Sequence, residues 1–307
     1  MTEKRKFYGM RNDYMFHAVL QKNEEVLRNL LATLLEINEA EIESCHIENP
    51  IELGKEIEGK ECILDVKLTL NNDKVINIEL QVYKQTHWIN RSLLYWARTY
   101  DNLKSGQDYS MLLPAYHIGI LDFTLFENHP KFMAQYQILD VEDGYLYSDK
   151  LCIKVLDLTQ LEKAKQEPET NKKLLKWASI FKAETLEELE QLASGEEVFE
   201  NMVVTMKKLS EDEKIRMQCE AREDYERSLL TEYNAGKSEG IQQGIEQGIE
   251  QGIQQGIASE RGNTEKERQR AEKESQRAEK ERQRAEKESQ RADALAAEVE
   301  RLRALLK

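Results

Sequence analysis

The chain has 307 residues, of which 40% are hydrophobic and 33% charged, so a packed core of one or two domains must carry something long and solvated. Its net charge of −14 makes it a poor bulk binder of a phosphate backbone, because residues 260–307 hold 14 Lys/Arg against 12 Asp/Glu and leave −16 on residues 1–259, so any contact with nucleic acid is expected to be local and through a cation. No run of eighteen apolar residues exists, which excludes a membrane-spanning helix of ordinary length.

Residues 11–37 are expected to form one helix with Asn12 or Asp13 as N-cap, its apolar face built from Met15, Phe16, Val19, Leu27, Leu30, Leu31 and Leu34. Residues 61–83 follow as a strand pair. Alternation puts Leu64, Val66, Leu68 and Leu70 on one face of the first strand, and Ile76, Ile78, Leu80 and Val82 on one face of the second. The opposite faces carry Asp65, Lys67 and Thr69, and Asn77, Glu79 and Gln81. For the apolar rows to coincide, paired residue numbers need an even sum. Pairing 65 with 79 leaves Asn71-Asn72-Asp73 as a three-residue loop, in which asparagine tolerates the left-handed conformation; a slip of two pairs 65 with 81 instead. A slip of one residue is excluded because it buries the polar row. Either even register brings Asp65, Glu79 and Gln81 within cross-strand reach. Two carboxylates so close repel unless a cation or a proton lies between them, and oxygen donors at that spacing suit Mg²⁺ or Mn²⁺. The competing reading is the wet side of a hairpin on which Lys67 neutralises both acids.

Residues 86–104 are expected to be an amphipathic helix ended by Ser105-Gly106, with Arg91, Tyr95 and Arg98 on one face. The two arginines are candidates for holding a DNA phosphate, or equally for pairing with acids of the body. Trp88, Leu94 and Trp96 are assigned to the core, and His87 and His117 to structural roles. Strands return at 115–122 and 151–157, and residues 168–235 read as helical only. A helix before the sheet and another between strands makes a mixed α/β domain. Cys45, Cys62, Cys152 and Cys219 form no CxxC pair and the five histidines no ligand spacing, so the sequence gives no zinc pattern. Free thiols and the absence of an apolar leader segment point to the cytoplasm.

Composition then changes. Gly-Ile pairs from Gly240-Ile241 to Gly256-Ile257 recur every four residues, so an isoleucine stripe drifts about 40° per repeat, and each glycine weakens a helix by about 1 kcal/mol relative to alanine. A variable connector or a close-packed helix pair would each account for the pattern. Residues 264–292 repeat at seven, but alanine at one seam position and glutamate at the other make a poor coiled coil and a good solvated helix. Only Leu295, Val299, Leu302 and Leu306 have true 3-4 spacing, enough for a homo-oligomerising zip over 295–306. The division expected is 1–160 core, 161–235 helical region, 236–259 connector and 260–307 charged tail.

Asp65, a hairpin, and then Glu79-Leu80-Gln81 resemble the Asp…(Asp/Glu)-x-Lys site of PD-(D/E)XK nucleases. More narrowly, RNDYMFHAVL, ILDVKL, NIELQVY, RSLLYWARTYDNL, GQDYSMLLPAYHIGILDF and the Gly-Ile tail resemble the recombination-promoting nuclease and transposase family, over about residues 9–235. The resemblance implies an α/β fold with a restriction-endonuclease-like αβββαβ core and mixed sheet, then a helical region and a long helical or coiled-coil tail. It also implies Asp65, Glu79 and the Leu80 carbonyl as ligands of Mg²⁺ or Mn²⁺, with Gln81 in the lysine position and Asp13 at an acidic position near the N-terminus. Glutamine offers hydrogen bonds where lysine offers charge, and Lys67 on the same polar face is a candidate to supply what is missing. The expected activity is metal-dependent cleavage of DNA; the rival is a non-enzymatic DNA-binding or assembly protein with a degenerate nuclease fold.

Overall fold

A computed structural model describes residues 6–51, 66–84 and 87–305. Asn12 caps the first helix, α1 (Asp13–Lys22), by accepting from the Met15 amide. The expected single helix is two. Asn23 ends α1 with its backbone N–H and starts α2 (Glu24–Leu35) with its side chain, so one asparagine breaks an otherwise continuous apolar run. Strand β1 (Cys45–Ile47) had no sequence signal of its own. Strands β2 (Val66–Leu70) and β3 (Lys74–Gln81) pair antiparallel as Val66↔Ile78 through Leu70↔Lys74. These sums equal that of the 65/79 pairing, and the loop is residues 71–73, with Asn71 and Asn72 at φ 50° and 55°. The two-residue slip is overturned for the described part of the hairpin.

Helix α3 (Trp88–Tyr100) stops short of the expected Ser105-Gly106. Asn102 takes over there: its side chain donates to the Leu113 carbonyl and accepts from the Leu113 amide, tying the helix exit to the start of the next strand. Strands β4 (Ala115–Leu121), β5 (Met133–Leu139) and β6 (Leu146–Asp157) complete a sheet of order β1-β2-β3-β4-β6-β5 among the described residues. Strands β3, β4 and β6 are parallel, and both margins are antiparallel. β5 escaped the sequence reading because it is an edge strand without clean alternation.

Short α4 (Leu161–Ala164), α5 (Lys172–Lys182), α6 (Leu186–Ala193), α7 (Glu197–Glu211) and α8 (Glu213–Leu305) follow, so residues 168–235 are helical as expected. One apolar cluster joins α1, α2, α5 and α7 to Val66, Leu68, Ile76, Ile78, Ile118 and Leu156 on one face of the sheet, and takes in Ile215 and Cys219 of α8. The other face is covered by α3, whose Trp88 packs with Leu121, Phe123, Ile153 and Val155.

The chain forms two compact units, Met1–Thr231 and Glu232–Lys307. The second is helical to Leu305 and includes the Gly-Ile repeat, whose isoleucines are about half exposed. Leu295 and Val299 are exposed, and the side chains of Leu302 and Leu306 lie outside the described residues. No described helix is long and apolar enough to cross a membrane.

Candidate active site

The pleat of β3 sends Asn77, Glu79 and Gln81 toward α3, and the parallel neighbour β4 sends His117 and Gly119 to the same side, paired as Asn77↔His117 and Glu79↔Gly119. This polar row is not the wet side of a hairpin. Asn77, Glu79 and His117 are buried, Glu79 to 2% exposure, because α3 lies across them. Gly119 is required by that cover. A Cβ there would overlap the Trp88 ring, the side chain with which α3 seats itself on the sheet.

Arg91 reaches down from α3. Its Nη2 donates to Oε1 of Glu79 and, at 2.7 Å, to Oε1 of Gln81, so two oxygens from one strand converge on one cationic nitrogen. The second oxygen of Glu79 lies 3.4 Å from Nε2 of His117, and Nδ1 of that ring is 3.3 Å from the Asn77 amide nitrogen. Arg91 and Arg98 both lie over the Tyr95 ring, at 5.9 and 6.0 Å, as their shared helical face predicted. Arg98 is exposed and, among the described residues, has no ion-pair partner.

Several sequence assignments change. Lys67 does not neutralise Glu79; its Nζ is 2.9 Å from Glu48, and Arg91 is the counter-charge of Glu79. Arg91 is therefore at once the expected phosphate candidate and the partner of an acid. Asp13 is held by the Arg222 guanidinium, with Nε at 3.0 and 2.9 Å from its two oxygens. The neighbouring Asn12 amide donates to the Cys219 carbonyl at 2.9 Å, so both residues clamp the start of α8. Trp88 is core as expected, but Leu94 is half exposed, and Trp96 stacks on Tyr100 while donating to the Ala115 carbonyl. Asp65 lies outside the described residues. No group of three or more His, Cys, Asp or Glu able to hold a metal occurs among the described residues. His117 carried no sequence signal beyond its place in an apolar strand; only the β3/β4 register brings it to Glu79.

Beside the exit of β3 lies a cleft of about 310 Å³ lined by Arg11, Tyr83, Glu184, Glu223, Glu226 and Arg227, among others. Acids crowd this region. Burial and then Asp13 push the Glu226 carboxyl up to about 7, and burial with Glu220 and Glu223 pushes the Tyr8 hydroxyl to about 12. A carboxyl whose folded pKa exceeds its unfolded value gives stability below the unfolded pKa and loses it as pH rises through the folded one. Glu226→Gln is thus expected to stabilise the protein by about 2 kcal/mol at pH 8, with the gain vanishing below about pH 4.5. Thermal melts of both proteins across that range check it; a gain independent of pH would assign the effect to packing.

A family model described as PD-(D/E)XK nuclease family transposase matches residues 10–233. No curated protein and no solved structure matches the chain. The matched segment spans the α1/α2, β1–β3, α3, β4 order that builds the polar row and its arginine, and the mixed six-stranded sheet agrees with that fold. The chain belongs to the PD-(D/E)XK nuclease family transposases.

Proposed function

We propose that the protein is a divalent-cation-dependent DNA endonuclease that hydrolyses phosphodiester bonds in the cytoplasm, in connection with DNA recombination or transposition. The observation that carries this reading is the convergence of Glu79 Oε1 and Gln81 Oε1 on the single nitrogen Nη2 of Arg91. A buried carboxylate and an amide oxygen aimed at one cationic atom form a hard-oxygen donor set, which fits Mg²⁺ or Mn²⁺. Asp65 and the Leu80 carbonyl would complete the set, as the family pattern implies. A bound cation supplies an activated water and stabilises charge on the phosphate.

The residues of the chain do the rest. Gln81 contributes an oxygen, which lysine could not, so Glu-x-Gln has its own chemistry rather than being a weakened Glu-x-Lys. Arg91, once off Glu79, would take a phosphate oxygen, and exposed Arg98 would take the next phosphate along the strand. Lys67 and Asp13 would act only indirectly, through Glu48 and the α8 clamp.

Nicking of plasmid DNA with and without Mg²⁺ or Mn²⁺, by wild type and Asp65→Ala, tests the assignment. Cleavage by wild type alone, and only with cation, is the expected result. Folded wild type that binds DNA without cutting it would favour the binding or assembly reading.

The tail is proposed as a homo-oligomerising element through residues 295–306, with 236–259 as a connector. Deleting residues 236–307 is expected to leave a folded domain that still cleaves, since the apolar cluster reaches no further along α8 than Cys219 among the described residues. Static light scattering should report a smaller assembly. Equal masses at equal concentration would make the tail a solvated spacer.

A further inference from the structure

His117 is fully buried at the centre of β4 and faces the row described above. Three residues fix its ring. Trp88 and Tyr95 of α3 flank it, with centroids at 5.9 and 6.3 Å, the latter edge-on. Asn77 of β3 presents its amide nitrogen 3.3 Å from Nδ1. In this orientation the amide nitrogen can only donate, so Nδ1 accepts and the ring proton belongs on Nε2. That atom is the one 3.4 Å from Oε2 of Glu79.

We propose that His117 is a positioning residue of the site: its Nε2–H, with the tautomer set by Asn77, holds Oε2 of Glu79 and leaves Oε1 as the oxygen that Arg91 now takes and a cation would take. A carboxylate steadied at one oxygen cannot rotate freely, so the other is presented in one direction beside Gln81 Oε1. The two atoms stand at 3.4 Å, longer than a formed hydrogen bond, and closing that gap would steady the ligand; partners of this kind, one step removed from a cation, change affinity by about 10–100-fold when lost. The consequence for cleavage rests on the cation-dependent nuclease reading, whereas the tautomer and its contact with Glu79 do not.

The experiment has two arms on the full chain. With ¹⁵N-labelled histidine, the chain's five rings give few enough signals for His117 to be identified by its loss in His117→Gln. A protonated Nε2 and bare Nδ1 at neutral pH are expected; an Nε2 without a proton overturns the proposal whether or not the protein cuts DNA. In the second arm, Mg²⁺ is titrated in thermal melts of wild type, His117→Leu and His117→Gln, with circular dichroism to confirm folding. Leucine should move the Mg²⁺ midpoint up by about 10–100-fold and lower kcat with little change in KM for DNA, while glutamine, which keeps a donor, should restore most of both. A leucine variant that titrates like wild type overturns the proposal. So does a glutamine variant as impaired as leucine, which would mean that ring packing between Trp88 and Tyr95 is what counts. Wild type with no response to Mg²⁺ overturns the nuclease reading instead, and the spectrum still decides the role of His117.

Discussion

Glu79→Gln should abolish cation-dependent cleavage, by at least about a hundredfold, and should destabilise the cation-free protein. Repulsion between Asp65 and Glu79, read from the hairpin alone, predicts the opposite sign for stability, because removing one of two neighbouring like charges relieves strain. The surroundings of Glu79 reverse that expectation. Its carboxylate is buried and carries the Arg91 guanidinium on one oxygen and the His117 ring beside the other. Neutralising it leaves the Arg91 guanidinium, whose side chain is only 24% exposed, with amide oxygens in place of its counter-charge, a loss of about 1–3 kcal/mol. Thermal melts and plasmid nicking on the same preparation separate the two effects. In the same melts Mg²⁺ should stabilise wild type more than the variant, as a ligand of the folded state must. Equal stabilisation of both would remove Glu79 from the cation site.

Arg91→Ala should act in two directions at once. The guanidinium sits on Glu79 Oε1, the oxygen the proposed function gives to the cation, so removing it should let Mg²⁺ stabilise the protein at lower concentration than in wild type. Cleavage should nevertheless fall, by about 10²–10³-fold, because the charge that would meet the phosphate is gone. No purely structural role for Arg91 predicts tighter cation binding together with slower cutting. An unchanged Mg²⁺ midpoint would show that Glu79 Oε1 is not where the cation goes. Faster cutting would make Arg91 a plug rather than a phosphate ligand.

Alternation along 66–81 determined, without any coordinates, that the acid in the second strand shares a face with Asn77 and Gln81, that the pairing sum is even, and that Asn71 and Asn72 turn the chain. These are local consequences of a two-residue period and of asparagine's tolerance of positive φ. The αβββαβ order came only through the resemblance to the nuclease family, since β1 carries no signal of its own. What covers Glu79 was not legible. A hairpin read alone has two faces and no third layer, so its polar row looked wet and the nearest lysine looked like the counter-charge. Only the crossover that lays α3 over parallel β3 and β4 buries Glu79, brings Arg91 and His117 to its two oxygens, and sends Lys67 to Glu48 instead. Arg91 is twelve residues from Glu79 and His117 thirty-eight, separations at which no periodicity survives. Their meeting is decided by the hand of the crossover and by Trp88 finding a position, Gly119, where the sheet has no side chain in its way.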